Sequence, residues 1–290
     1  MISLAYFPSV NKSALPNQTE VISLAPELIT PQDGSEKQDC EVAAAKRWIT
    51  THASDFAGQS ITVLGDDLYS HQPMVEQCLD AGIHFIFTCL PDSHPTLYDS
   101  LSYLDGIGQI RTLETQQWNK RSKEIYHYRY LNGMPLRDTQ PAFNVNWCEL
   151  TLTRQSDGKL LYFNAFVTHH FLSDATVAAV VRAGRSRWKT ENENPNVLKT
   201  KGYHLEHNFG HGQQHLAQIL LTLNLLAFLF HAVLLWMDKP YQQMRHKRGT
   251  RKGFFQDISS LTQYLLFDSW LHLIEFMLAD SPKSPATNSS

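Results

Sequence analysis

Four stretches of the chain hold residues whose types and spacing can do chemistry. The first surrounds Asp66. The run SITVL at 60–64 predicts a short buried strand, and Gly65, Asp66 and Asp67 follow it directly. Open α/β sheets collect ligands just beyond the carboxyl ends of their strands, so Asp66 is a candidate cation ligand, with Asp67 as the alternative. Gly-Asp-Asp is also good turn chemistry, because short carboxylates hydrogen-bond their own backbone. The second is Glu191, set among Arg185, Arg187 and Lys189. A carboxylate ringed by cations suits a metal ligand beside a phosphate clamp, and it equally suits a salt-bridged surface helix. The third is the series His204, His207, His211 and His215, whose 3, 4 and 4 spacing would align on one helix face and imitates a zinc site. Gly210 and Gly212 argue against an unbroken helix there, which favours a loop or structural role. The fourth is KPYQQMRHKRGTRK at 239–252, with six Lys/Arg and no acid. It is either a phosphate-contacting stretch or a solvated linker between helices.

The elements that must position these residues change character along the chain. Segments 2–7 and 21–29 predict strands, 33–51 a helix, 60–64 a strand, 70–80 a helix and 83–90 a buried strand. This β-β-α-β-α-β order predicts an α/β layer with some parallel strands. Residues 108–170 are rich in Tyr, Trp, Phe, Val and Thr, with turn signals at Asn132-Gly133, Arg137-Asp138 and Ser156-Asp157-Gly158. They predict a β-rich module inserted into the α/β chain and projecting from it. Helical patterns follow at 173–184, 188–199, 212–237 and 253–279, and the final ten residues have the composition of a disordered tail. The domains expected are therefore 1–92 and 173–280 of one core, a β-rich insertion at 93–172, and a tail at 281–290.

Composition narrows the classes. With 42% hydrophobic residues the chain can bury a core. The net charge of −3 conceals an asymmetry: residues 1–110 hold 4 Lys+Arg against 14 Asp+Glu, and the remainder 21 against 14. A nucleic-acid partner would contact the second part. The four cysteines form no CxxC pair and Met1 to Val10 lacks a basic signal-peptide start, which together suit a reduced, cytoplasmic setting. The uncharged run from Leu220 to Met237 approaches a membrane span in length. With Thr222, Asn224 and His231 inside it, a buried core helix and no membrane partner are expected.

Together these segments resemble a family. RWKTENENPNVLKTKGYHLEHNFGHG looks like the glutamate-bearing helix of DDE transposases of bacterial insertion sequences, in which a Tyr, an Arg, the catalytic Glu and a Lys recur at set spacings. Arg187 and Glu191 match; Gly184 stands at the Tyr position, and the Lys falls one residue late, at Lys199. Asp66, followed three residues on by Tyr69, resembles the family's second aspartate and so is chosen over Asp67. The step of 125 positions from Asp66 to Glu191 suits the branch with a β-rich insertion between them. The resemblance covers residues 20–280. It implies an RNase H-like catalytic core with three carboxylates holding two Mg²⁺ ions, Asp66 and Glu191 being catalytic metal ligands here. Those ions serve hydrolytic cleavage and then attack of a 3′-hydroxyl on target DNA. With DNA, both element ends and target, as the implied partner, the twelve Lys/Arg of 182–201 and 239–252 predict that Arg185, Arg187, Lys189, Lys199, Lys201, Arg245, Lys247, Arg248, Arg251 and Lys252 contact it.

The family places its first aspartate on the first strand, and no Asp-Gly-Thr-like sequence follows a strand upstream of Val21. An RNase H-like core lacking its first strand is the expectation, truncated at the N-terminus. Two function classes follow: a transposase subunit that needs a complementing polypeptide such as an intact transposase, or a non-catalytic remnant that at most binds DNA or interferes with intact transposase; a homodimer is a further expected partner.

Overall fold

The computed structural model describes residues 3–6, 22–29, 40–187, 195–207, 210, 212 and 214–279. The chain divides into one unit from Met1–Gln18 and Glu27–Trp188, and another from Thr19–Pro26 and Lys189–Ser290. Glu191, Lys189, His211 and the tail at 281–290 lie outside the described residues.

The first unit is mixed α/β. Its strands are β1 (Ser3–Tyr6), β2 (Ile61–Gly65), β3 (His84–Thr88), β4 (Arg111–Asn119), β5 (Ser122–Pro135), β6 (Asn144–Arg154) and β7 (Leu160–Thr168). They form one seven-stranded sheet in the order β1-β2-β3-β7-β6-β5-β4. Among the described residues only β2 and β3 pair in parallel, joined by the crossover helix α2 (Gln72–Asp80) that such a pair requires. Preceding helix α1 is Glu41–His52, and α3 (Pro95–Gly106) and α4 (Val177–Arg185) follow in chain order.

Strand alternation divides the core between two faces. Val63, Phe85, Phe87, Trp147 and Val167 join a cluster with Trp48, Met74 and Leu97 from α1, α2 and α3. Their neighbours Leu64, Ile86, Cys148 and Phe166 face Val177, Val180 and Val181 of α4. Period-two burial on both faces makes these central strands read as continuous apolar runs.

Several expectations need correction. Residues 22–29 form no strand; Pro26 interrupts them, and Ile22, Leu24 and Ile29 are exposed. The β-rich segment does not project as a separate module: β7 pairs antiparallel with β3, so its four strands extend the same sheet. Its first residues are helical, because Pro95 opens α3 and Leu97 and Leu101 are buried one helical turn apart. Asn132-Gly133 is a bulge inside β5 rather than a hairpin turn. The register shifts between Leu131 and Met134, and the Gly133 N–H donates to Asn146 Oδ1 at 3.0 Å.

The second unit is helical: α5 (Pro195–Thr200), α6 (Leu216–Met237), α7 (Lys239–Arg248), α8 (Arg251–Tyr264) and α9 (Trp270–Leu278). Residues 239–248 are thus helix, not linker; Asp238 caps α7 by accepting from the Tyr241 N–H at 2.6 Å. The expected buried core helix is α6, yet only Phe228 and Ala232 are buried in it. Two of its polar groups meet Tyr203: Asn224 Nδ2 donates to the Tyr203 carbonyl at 2.7 Å, and His231 Nδ1 pairs with the Tyr203 hydroxyl at 2.7 Å. Ile219, Leu223, Leu226, Phe230 and Met237 stay exposed. Among the described residues α6 alone is long and apolar enough to cross a membrane by length and composition.

At the amino-terminal end of β3 three imidazoles stack: His84 lies 4.5 Å from His170 and 5.8 Å from His169, ring centre to ring centre. His170 Nε2 pairs with Thr62 Oγ1 at 2.9 Å. Burial, and then His84 and His169, push the His170 pKa down from 6.5 to about 4. The folded chain therefore holds this ring neutral while the unfolded chain protonates it. Stability is full above pH 6.5 and drains as pH falls toward 4, by on the order of 3 kcal/mol. Urea midpoints should fall between pH 7 and pH 5 for the native chain and fall less for His170→Gln; equal falls in both would contradict this.

Candidate active site

β2 ends at Gly65, and no other residue fits there. A Cβ would lie 2.9 Å from the Phe87 ring and 2.9 Å from the Tyr69 ring. Asp66 follows in extended conformation and caps the single turn Asp67–Tyr69, its Oδ1 accepting from the Leu68 N–H at 3.2 Å. Asp66 is therefore presented at the carboxyl end of β2, half-buried, with one oxygen engaged locally.

Asp67 has a different task. Its Oδ1 accepts from the Leu90 N–H at 2.7 Å, and its Oδ2 accepts from the Ser93 hydroxyl, tying the end of β2 to the loop after β3. Replacing Asp67 by Ala removes both bonds and should cost about 1–3 kcal/mol. Asp66→Asn should stay within about 0.5 kcal/mol. Guanidinium unfolding of the two variants checks this, and a larger loss for Asp66→Asn would reverse the assignment of structural and functional carboxylate.

Tyr69 connects the site's other charges. It is 1% exposed, and its hydroxyl donates to Glu41 Oε2 at 3.4 Å. Burial, then Glu41 and Asp66, raise its pKa, while Arg187 opposes them. Asp66, Glu41 and Arg187 thus act on one phenol from the end of β2, the start of α1 and the residues just past α4. Glu41 escaped sequence reasoning; a lone acid in the first turn of a helix gives no motif. Beside this site, Ser70 Oγ and His94 Nε2 pair at 2.6 Å. His71, His94, Ser93 and Arg137 line a cavity of about 240 Å³.

Arg185 stacks on Tyr162, its guanidinium carbon 4.2 Å from the ring centre. Gly184, at the Tyr position of the resemblance, faces Phe166 and Ile86. Lys199 pairs with Glu206 at 2.8 Å, and Lys201 and Lys252 are exposed. Arg248 pairs with Asp257 at 2.7 Å, and Lys247 donates to the Leu278 carbonyl at 3.0 Å. Arg245 and Arg251 lie over Phe254 and Phe228, each 5.5 Å from the ring centre.

Of the histidine series, His204, His207 and His215 lie among the described residues and share no helix face. His204 has a left-handed backbone, φ 55°, His207 lies in a turn, and His215 precedes α6. Among the described residues no group of three or more His, Cys, Asp or Glu is placed to hold a metal ion. Asp66 offers a hard oxygen donor of the kind Mg²⁺ takes, but the described residues do not by themselves complete a site for it. No family model matches the chain, and no curated protein matches it.

Proposed function

We propose that the chain is the catalytic part of an insertion-sequence DNA transposase with an RNase H-like core, and that it binds DNA but does not cleave it alone. The observation that carries this is the carboxylate Asp66 at the end of β2, with Arg187, four residues before Glu191, acting on the same tyrosine. A parallel β2/β3 pair with its crossover helix supports an RNase H-like arrangement. Asp66 and Glu191 are the proposed metal ligands. Mg²⁺ bound there would stabilise the charge that develops on phosphate oxygens during displacement. The chain's own part is to hold Asp66 fixed through its turn and to place cations along the DNA backbone.

The inactivity of the chain alone has its own support. β2 lies between β1, paired antiparallel, and β3, paired in parallel, and neither Ser3–Tyr6 nor His84–Thr88 contains a carboxylate. Neither described neighbour of β2 offers a third carboxylate ligand, and this favours the second class, a non-catalytic DNA-binding form that interferes with intact transposase.

DNA binding itself is tested by its salt dependence. Segments 182–201 and 239–252 hold twelve Lys/Arg. Each neutralised phosphate adds about 0.9 to the log–log salt slope, so three contacts predict an affinity loss of about 40-fold between 50 and 200 mM salt. Fluorescence anisotropy with a labelled duplex measures it, and a salt-independent affinity would remove the basic segments from any DNA interface.

A further inference from the structure

The turn between α7 and α8 holds two arginines that differ from the cations around them. Arg245 is in the last turn of α7 and Arg251 opens α8, with Gly249 at φ 67° between them. Arg248 is closed by Asp257. Lys247 is engaged by the Leu278 carbonyl. Arg245 and Arg251 have no carboxylate partner among the described residues. Each guanidinium instead lies over a phenylalanine ring, Arg245 over Phe254 and Arg251 over Phe228. Arg245 Nη1 is further fixed by the Thr250 carbonyl at 2.9 Å.

The wall behind them is also poor in negative charge. His231 stacks on Tyr241, 6.0 Å between ring centres at 14°, and its Nδ1 is tied to the Tyr203 hydroxyl. Burial, then Arg251 and Arg245, push the His231 pKa down to about 4. Arg245 itself is pushed down by burial and by Arg251. Two half-buried cations that repel one another without an acid are costly to hold, and an anion between them relieves both. The α8 terminus adds donors. Thr250 Oγ1 takes the Gly253 N–H at 3.1 Å, while the Arg251 and Lys252 N–H groups are at positions with no intrahelical acceptor.

We propose that Arg245 and Arg251, with the first amides of α8, form an oxyanion site that takes one backbone phosphate of DNA. This rests on the DNA-binding reading above and deepens it. Of the six Lys/Arg at 239–252, Arg245 and Arg251 bind the phosphate, while Lys247 and Arg248 hold the helices together. Arginine suits the task because its planar fork gives two parallel bonds to one phosphate, which an ammonium cannot.

The test combines two ligands with four variants of the whole chain. Duplex DNA is followed by anisotropy and inorganic pyrophosphate by calorimetry, for the native chain, Arg245→Gln/Arg251→Gln, Arg245→Lys/Arg251→Lys and Arg248→Gln. Thermal melts by circular dichroism confirm that each variant is folded. The Gln pair should lose at least about 10-fold in DNA affinity and about one from the salt slope, and should lose pyrophosphate binding. The Lys pair should recover less than half of that loss on a logarithmic scale, and Arg248→Gln should change affinity less than about three-fold. A native chain that binds DNA, with the Gln pair no weaker than Arg248→Gln, overturns the phosphate site and leaves DNA binding standing. Pyrophosphate binding lost in the Gln pair, with no DNA binding by the native chain, supports an oxyanion site for free phosphate and overturns its DNA occupant. Binding of neither ligand by the native chain overturns both.

Discussion

Gly184→Tyr is expected to prevent the α/β unit from folding. The glycine is buried on α4, and a Cβ there would lie 2.7 Å from Phe166 Cε1 and 3.0 Å from Ile86 Cγ2. Both neighbours are anchored in central strands, Phe166 on β7 and Ile86 on β3, which pair with each other in this region. Neither can yield without disturbing the sheet. Overpacking by a single methylene costs about 1–3 kcal/mol, and a whole phenol exceeds what a domain of ordinary stability tolerates. Gly184→Ala should cost about 2 kcal/mol, and that cost should largely vanish in a Phe166→Leu background, because the ring that meets the methyl has gone. Denaturant unfolding of the four proteins of this cycle measures the coupling. Additive losses would mean that Phe166 does not set the requirement for glycine. The cycle also bears on the resemblance, whose pattern puts a tyrosine here; in this chain Phe166 fills that space.

Much of the sheet was legible because its strands declare themselves. SITVL, IYHYRYL, NVNWCELTLT and LLYFNAFVT all fall on observed strands, since β-branched and aromatic residues fit a pleated, buried surface. The helix over 95–106 was hidden by Tyr, Thr and Ser, which favour strands or turns, and only its leucine spacing betrays it. β4, RTLETQQWN, is an edge strand with few buried residues and so carries little apolar signal. That the β-rich segment extends the sheet could not be read, because pairing of β3 with β7 joins residues about 80 positions apart in sequence. In the site, Asp66 was legible from its strand end. The separate duties of Asp66 and Asp67 were not, since they depend on Leu90 and Ser93 from the next loop. Glu41 became visible only through Tyr69.

The second large effect concerns catalysis. The isolated chain is expected to leave a labelled DNA duplex intact with Mg²⁺ or Mn²⁺. Activity should appear once a strand bearing an aspartate is supplied, by fusion or in trans, so that it can pair beside β2, where Ser3–Tyr6 carries no carboxylate. In that restored protein Asp66→Asn removes a charged oxygen ligand while keeping the shape of the side chain. Cleavage should fall about 10³-fold, equivalent to about 4 kcal/mol of lost transition-state stabilisation. Glu191→Gln should do the same. DNA affinity should change less than about two-fold in either, because neither residue neutralises a phosphate.

The central claim is that Asp66 belongs to a polynucleotidyl-transfer site, and the most direct measurement is metal-dependent nicking of a labelled element end. It is followed in parallel for the isolated chain, the restored protein and the restored Asp66→Asn variant. The account predicts nicking by the restored protein alone. Equal nicking by the restored protein and its Asp66→Asn variant would contradict the role given to Asp66.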